Sequence, residues 1–475
     1  MSAEPRTEPT VRQSIIMITA TSFAAFLAGV AALYFVYADR AGGGAVDWLS
    51  GREVFLGISI SGVWTVILPA LGVAVTMPAI VWLQRRFFPG TEGTGIPQAI
   101  AAIQIGERPE RGLMLSVRIA LGKILLLSMA LISGITVGRE GPSVHVAACC
   151  MHLSRRFCRF HPWLVQRGLI LAGSAAGIAA AFNAPVAGVI FCFEEVGRIF
   201  DKQSATAIIR TVAIACLVGV VFLGDYEFYG SSNSGAGLPL SIDGDLGAWL
   251  LELRQWIAVP VVGVLGGFLG GWFGRGVVGG SRRLAPFLVA NPLRTGIVLG
   301  LALAVTGILS GGSSYGGGHD QAERMLETAA ATNAPIAIWS DPLGKAVASF
   351  TSLISGIPGG LFDPSLAVGA GLGQMTHGFF ERTIAPGIGL PEFMLIFMAA
   401  YFAGVVQSPI TVFAILFEMT GAYGMILPLM FAAALGAAVA SRICEPSIYE
   451  ALAASFLEAK GIRTGPDPGT RSSTD

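Results

Sequence analysis

Charge is what this chain has least of. Only 13% of its 475 residues are Asp, Glu, Lys or Arg, against 53% hydrophobic ones, and the mean hydropathy is +0.68. A soluble protein carries about 25% charged residues, so the composition excludes a water-soluble globule and predicts an integral membrane protein. The 30 basic and 30 acidic residues cancel, which excludes a large basic face for nucleic acid. Cysteine is scarce as well. The six cysteines (Cys149, Cys150, Cys158, Cys192, Cys216, Cys444) lie mostly in apolar sequence without C-x-x-C spacing, and read as buried small hydrophobic residues. The five histidines lack metal-ligand spacing; His145 and His152 share a helical face but have no carboxylate or third ligand beside them. No H-E-x-x-H or Asp/Cys-His constellation is present, so neither an enzyme nor a metal or other cofactor is expected.

Glycine and proline, by contrast, are plentiful, at 63 and 25 residues. Inside a membrane both are tolerated where neighbouring helices or a cavity satisfy the freed backbone groups, so broken or re-entrant helices are expected rather than a plain bundle. The apolar run from Ser14 to about Tyr37 is too long for the core of a cleavable signal peptide and predicts the first membrane helix. Further runs lie near 55–84, 113–136, 165–197, 206–223, 249–279, 292–310, 343–356, 392–418 and 424–441. Some are shorter than the ~20 residues that span the hydrocarbon core, and others are long enough to hide a turn. Residues 211–253 hold no Lys or Arg but include Asp225, Glu227, Asp243 and Asp245, which places this loop outside by the positive-inside rule. Arg155, Arg156, Arg159, Arg282 and Arg283 fit the inner side. The expected organisation is a cytosolic tail (1–12), a first membrane repeat (13–225), an extracytosolic loop (226–249), a second repeat (250–455) and a cytosolic tail (456–475) too short for a folded domain.

The repeat itself is legible. "LISGITVGREGPS" (Leu131 to Ser143) and "LISGIPGGLFDPS" (Leu353 to Ser365) share their first five residues and their final Pro-Ser, and Lys123 and Lys345 keep the same offset of 222. "GTGIPQA" at 93–99 matches "GGGHDQA" at 316–322. "FNAPVAGVIFCFEE" at 182–195 aligns with "VQSPITVFAILFEM" at 406–419, which sets Glu194 over Glu418. Two related halves predict a transporter with its site between the repeats near the midplane. The residues leave open whether the halves run parallel or inverted.

Each Gly-rich motif reads as a helix start. Proline is favoured in the first turn, where its missing N–H would be unpaired anyway, so helices are expected to begin at Pro142, Pro364, Pro97 and Pro185. Every start leaves free N–H groups and the positive end of a helix dipole. Several converging at membrane depth would hold a small anion without a full positive charge. Glu140 sits at one of these starts and Phe362 fills the equivalent position in the second half. An ionised Glu140 imitates the anion and competes for its place; once protonated it swings away and carries a proton. The alternative is an Arg139–Glu140 pair that merely anchors a helix end.

At these residues a family resemblance appears. GTGIP (93–97), GREGP (138–142), GLFDP (360–364) and AGIAAAFNAPVAGVIFCFEE (176–195) resemble, in order, the signature motifs of the CLC chloride channels and chloride/proton antiporters, of the prokaryotic type without cytosolic CBS domains. The resemblance implies an all-α integral membrane fold of two inverted repeats with tilted, broken and re-entrant helices. It also implies a homodimer in the cell membrane with one anion pathway per subunit and both termini cytosolic. Its substrates would be chloride and protons, exchanged by a secondary active transporter; a passive voltage- or pH-gated channel is the alternative. By motif, Glu140 would be the gate and outer proton site. Thr94, Gly95, Ile96, Arg139, Leu361, Phe362 and Tyr449 would surround the anion, with Tyr449 of "EPSIYEAL" closing its inner side. Glu195 would be the inner proton-transfer site, a position where channel members tend to be apolar. Glu194 and Glu418 are expected to be structural, and Lys123 either structural or a source of positive field. Thr94 replaces the family's usual serine but keeps its hydroxyl. Position 94 is not the proline of nitrate-preferring relatives, and the sequence typical of fluoride exporters is absent, which points to chloride. Gln98, in place of an acid, and Asp363, at a variable position, receive no role.

Overall fold

The computed structural model describes residues 10–462 apart from 51–53, 56–57, 60–62, 107, 159–163, 199–201, 225–228, 230–235 and 239–245. Arg159, the four acidic residues Asp225, Glu227, Asp243 and Asp245, most of the predicted outer loop and most of both tails lie outside the described residues.

The first half is built from α1 (Val11–Ser50), α2 (Val63–Phe87), α3 (Ile96–Gln104), α4 (Val117–Ile132), α5 (Glu140–Leu153), α6 (Leu169–Phe182), α7 (Pro185–Phe191) and α8 (Lys202–Leu223). The second half repeats this order with α9 (Leu246–Ala290), α10 (Pro292–Leu309), α11 (His319–Thr332), α12 (Ser340–Ile354), α13 (Phe362–Thr383), α14 (Leu390–Val406), α15 (Pro409–Thr420) and α16 (Ile426–Ser441). A last helix, α17 (Ile448–Ala459), follows, and the described strands are one two-residue pair, Val54–Phe55 with Ile58–Ser59. Six helical stretches among the described residues are long and apolar enough to cross a membrane. The protein is an all-α, multi-pass membrane protein.

Two expectations about boundaries are revised. The run near 249–279 was long enough to conceal a turn, yet α9 continues unbroken for 45 residues through Pro260 and Pro286. At 1.5 Å per residue it is about 68 Å long, so it must tilt or project beyond the ~30 Å core. Likewise α5 and α13 begin at Glu140 and Phe362, two residues before Pro142 and Pro364. Proline in the third position still removes no helical bond, because the first-turn N–H groups have no partner within the helix. The short helices are as expected: α3, at nine residues, reaches about half-way across the hydrocarbon.

Equivalent helices meet each other, and at two places they do so reciprocally. Gly138 N–H donates to Gly360 O (2.9 Å) while Gly360 N–H donates to Gly138 O (2.6 Å), an antiparallel pairing of equivalent residues. Glu418, near the end of α15, accepts from the N–H groups of Val186 (3.0 Å) and Ala187 (2.7 Å) at the start of α7. In return Glu194, in the π-helical turn Cys192–Gly197 that extends α7, accepts from Ile410 N–H (3.0 Å), Thr411 N–H (2.6 Å) and Thr411 Oγ1 (2.7 Å) at the start of α15. The end of each helix caps the beginning of the other, so α7 and α15 run antiparallel. The halves are therefore inverted, which resolves the choice the residues left open.

The paired lysines do equivalent work in each half. Lys123 Nζ on α4 donates to Thr91 O (3.1 Å) and Gly93 O (2.8 Å); Lys345 Nζ on α12 donates to Ser314 O, Tyr315 O and Gly316 O at 2.8–3.2 Å. Each ammonium gathers the carbonyls of the loop that leads into the next half-helix, α3 or α11. At the centre, α6 and α14 are apolar on every face and buried along nearly their whole length, as helices enclosed by other helices should be.

Candidate functional site

The interrupted helices bring three starts and one helix-borne hydroxyl together. The chain enters α3 through Gly95 at φ 101°, a conformation open to glycine, and a Cβ there would also strike the His145 ring. His145 Nε2 is itself held by Met114 O at 2.7 Å. This turn lays Thr94 against the start of α5: a Cβ on Gly141 would fall 2.9 Å from the Thr94 Cβ. In α3, α5 and α13 the first helical bonds run from Ala99 to Gly95 O, Ser143 to Arg139 O and Ser365 to Leu361 O. The N–H groups ahead of them, including those of Ile96, Gly141 and Phe362, therefore lack a helical acceptor.

The side chain of Phe362 is anchored away from that start. It stacks on Phe182 (5.9 Å between centroids) and meets Phe402 (4.7 Å), Phe191 (6.2 Å) and Tyr449 (6.3 Å). The Phe362 ring is thus packed among four aromatic side chains. Tyr449, the second residue of α17, is fully buried, and its hydroxyl has no hydrogen-bond partner; the same holds for Thr94 Oγ1. Orphaned buried hydroxyls are costly to keep, and two at one group of helix starts point to a ligand they are built to meet.

Glu140 is completely buried, and neither carboxyl oxygen receives a hydrogen bond. Its Oε2 lies against the paired glycines, 2.3 Å from where a Cβ would stand on either Gly138 or Gly360. The close approach of these two strands and the carboxyl thus requires glycine at both positions. The carboxyl sits at the dipole end of α5 but does not take the free N–H groups as the sequence suggested. Beside it, Arg139 pairs through Nη1 with Asp39 Oδ2 of α1 at 3.0 Å. Asp39 escaped the sequence reading. The available signal was an acid near the end of the apolar run of α1, but its partner lies a hundred positions away.

Glu195 lies in the π-helical turn after α7, nearly fully buried. Its Oε2 accepts from Ser408 Oγ at 2.5 Å and its Oε1 has no partner. An open cleft of about 550 Å³ lined by Glu194, Glu195, Arg198, Gln407, Arg442 and Glu450, among others, reaches this position. Arg198 bonds Glu450 at 2.9 Å on its rim. The neighbouring acids have separated fates: Glu194 is consumed in capping α15, whereas Glu195 keeps a free oxygen. Ser408 was also missed, since no spacing links it to Glu195. Gln98 is buried and donates through Nε2 to Glu92 O, so it fastens the loop before α3.

Inverted repeats of interrupted helices whose starts meet inside the protein define a multi-pass membrane transport protein. The family model described as voltage gated chloride channel matches residues 72–441, and the chain belongs to that family. It is 26% identical over 423 residues to the H(+)/Cl(−) exchange transporter ClcA of Yersinia pestis bv. Antiqua (strain Angola), covering 87% of this chain and 83% of that one. The fold is shared with a slow cyanobacterial Cl−/H+ antiporter solved by X-ray crystallography (TM-score 0.72, 22% identity, 97% of this chain and 100% of that one). It is also shared with a CLC-type fluoride/proton antiporter (TM-score 0.68, 20% identity, 94% and 99%).

Proposed function

We propose that the protein is a secondary active transporter that exchanges chloride for protons across the cell membrane, with Glu140 as its gate. The observation that carries this reading is the Glu140 carboxyl, buried without a donor between Gly138 and Gly360 at the start of α5. A carboxylate so placed is costly while charged. It gains from leaving when an anion arrives, or from binding a proton. Family membership and the likeness to an H(+)/Cl(−) exchange transporter support the same conclusion.

In this mechanism chloride is held by the free N–H groups at the starts of α3 (Gly95, Ile96) and α13 (Leu361, Phe362) and by the hydroxyls of Thr94 and Tyr449. Arg139 contributes its backbone and the orientation of its turn, because its guanidinium is committed to Asp39. Protons reach the site from the inner side through Glu195, whose unpartnered oxygen adjoins the cleft, and leave through Glu140. Lys123, Glu194 and Glu418 maintain the scaffold. The membrane repeats are 13–225 and 250–455, the segment 226–249 is extracytosolic, and the tails 1–12 and 456–475 are cytosolic. The working unit is a homodimer with one anion pathway per subunit.

The test is flux through purified protein in liposomes. An outward chloride gradient should drive protons uphill; chloride movement without protons would replace the exchanger with a passive channel. Glu140→Gln should abolish proton movement while chloride still passes. A variant that continues to pump protons would overturn the role of Glu140.

A further inference from the structure

Asp363, the residue to which the motifs assign no role, stands directly against the gate. It is the second residue of α13, fully buried, and neither Oδ1 nor Oδ2 receives a hydrogen bond. An acid in the first turn of a helix commonly caps free N–H groups, but this one caps nothing. What faces it is the carboxyl of Glu140, at the start of α5, which the Gly138–Gly360 pairing ties to the start of α13. All four oxygens thus lack a donor, and each group has the other as its neighbour. Two carboxylates in contact repel, whereas a carboxyl and a carboxylate make a strong hydrogen bond, so one shared proton satisfies the pair.

The far side of Asp363 leads outward. A Cβ on Gly317 would stand 4.0 Å from Asp363 Oδ2 and 3.5 Å from Asp39 Oδ1. Gly317 lines a cavity of about 150 Å³ together with Asp39, Gly318, His319, Asp320 and Arg324. Tyr229 of the segment 226–249 stacks on His319 at 5.6 Å, so in the proposed orientation this cavity belongs to the outer side. The groups that act on Asp363 are Glu140 and Arg139 of α5, Asp39 of α1, Asp320 of α11 and Tyr229; beyond them, Lys345 of α12 acts on Asp39 and His319 of α11 stacks on Tyr229. Asp363 lies between the gate and this cavity.

We propose that Asp363 is a second proton carrier of the outer gate, sharing one proton with Glu140 and passing it to and from water in the Asp39-lined cavity. The step balances within the pair. Protonated Glu140 gives its proton to the Asp363 carboxylate through the hydrogen bond between them. Asp363 then releases it to cavity water as hydronium and returns to carboxylate, and uptake runs in reverse. Protons then have a route to the outside separate from the anion path, and Glu140 need not emerge into solvent to exchange its proton.

This proposal rests on the proton-exchange reading, and one experiment separates the two. Proton and chloride fluxes are measured in the same liposomes for the intact chain, Asp363→Asn, Asp363→Ala and Asp363→Glu. Asn and Ala cannot carry a proton, so the proton-to-chloride flux ratio should fall at least about tenfold in both while chloride still passes, as expected on removing a group that transfers protons. Asp363→Glu should restore the ratio. An undiminished ratio in either Asn or Ala overturns the proposal and leaves the exchange reading intact. If neither variant carries chloride, Asp363 is structural and the proposal falls as well. Failure of the intact chain to couple the fluxes would instead overturn the exchange reading itself.

Discussion

The residues of the site divide by whether their polar atoms are already satisfied. Lys123, Glu194, Glu418 and Arg139 all have partners in the structure. Thr94, Tyr449, Glu140, Asp363 and one oxygen of Glu195 do not. The distinction was partly legible from motifs, which named Glu140, Thr94, Tyr449 and Glu195. It could not reach Asp363, because what matters there is that α5 and α13 begin at the same point in space. Two predictions belong to this scale. Glu195→Gln should abolish or severely reduce uphill proton movement while chloride flux continues in liposomes, since the amide keeps the shape but cannot carry a proton. Coupled transport in that variant would return Glu195 to a structural rim residue. Tyr449→Phe removes a hydroxyl whose burial without a partner costs about 1–3 kcal/mol. Without chloride the variant should melt at or above the temperature of the unmodified protein, and the rise on adding chloride should shrink. Calorimetry in detergent across a chloride series checks both, and an unchanged chloride response would remove Tyr449 from the anion site.

Among the elements, long apolar helices and Gly/Pro-interrupted half-helices were both visible as patterns, because hydrocarbon thickness and proline chemistry act locally. Their ends were less visible. Proline marks a first turn but not its first residue, so α5 and α13 start two residues earlier than the motif suggested. The continuous α9 shows the converse: proline within a membrane helix need not break it when neighbouring helices enclose the chain. The reciprocal capping of α7 and α15 links the two repeats through charged side chains. Hydrogen bonds to a charged group contribute about 1.5–3 kcal/mol each. Glu418→Ala removes two, to Val186 and Ala187, and Glu194→Ala removes three, to Ile410 and Thr411. Each should lower the melting temperature in detergent. The two losses should be nearly additive, because the caps lie at opposite ends of the helix pair and share no partner. A double variant no worse than either single one would show that they act as one unit.

At the scale of the whole molecule the prediction concerns assembly. Light scattering of the detergent-solubilised protein should give twice the 49.4 kDa chain mass. A covalently joined pair carrying Glu140→Gln in one copy should retain about half its proton flux, as independent pathways require. Complete loss would mean that the two pathways work as one. Composition alone determined that this chain lives in a membrane, since hydropathy follows from residue counts. The repeat and the helix-start motifs were equally legible, being patterns of neighbouring residues. Only the tertiary structure decided that the repeats are inverted, that Arg139 is neutralised by Asp39, and that Asp363 faces Glu140. Those facts depend on which helix ends meet after folding. Residues far apart in the chain carry no local signal of that meeting, and a carboxyl without a donor is recognised only when its surroundings are known.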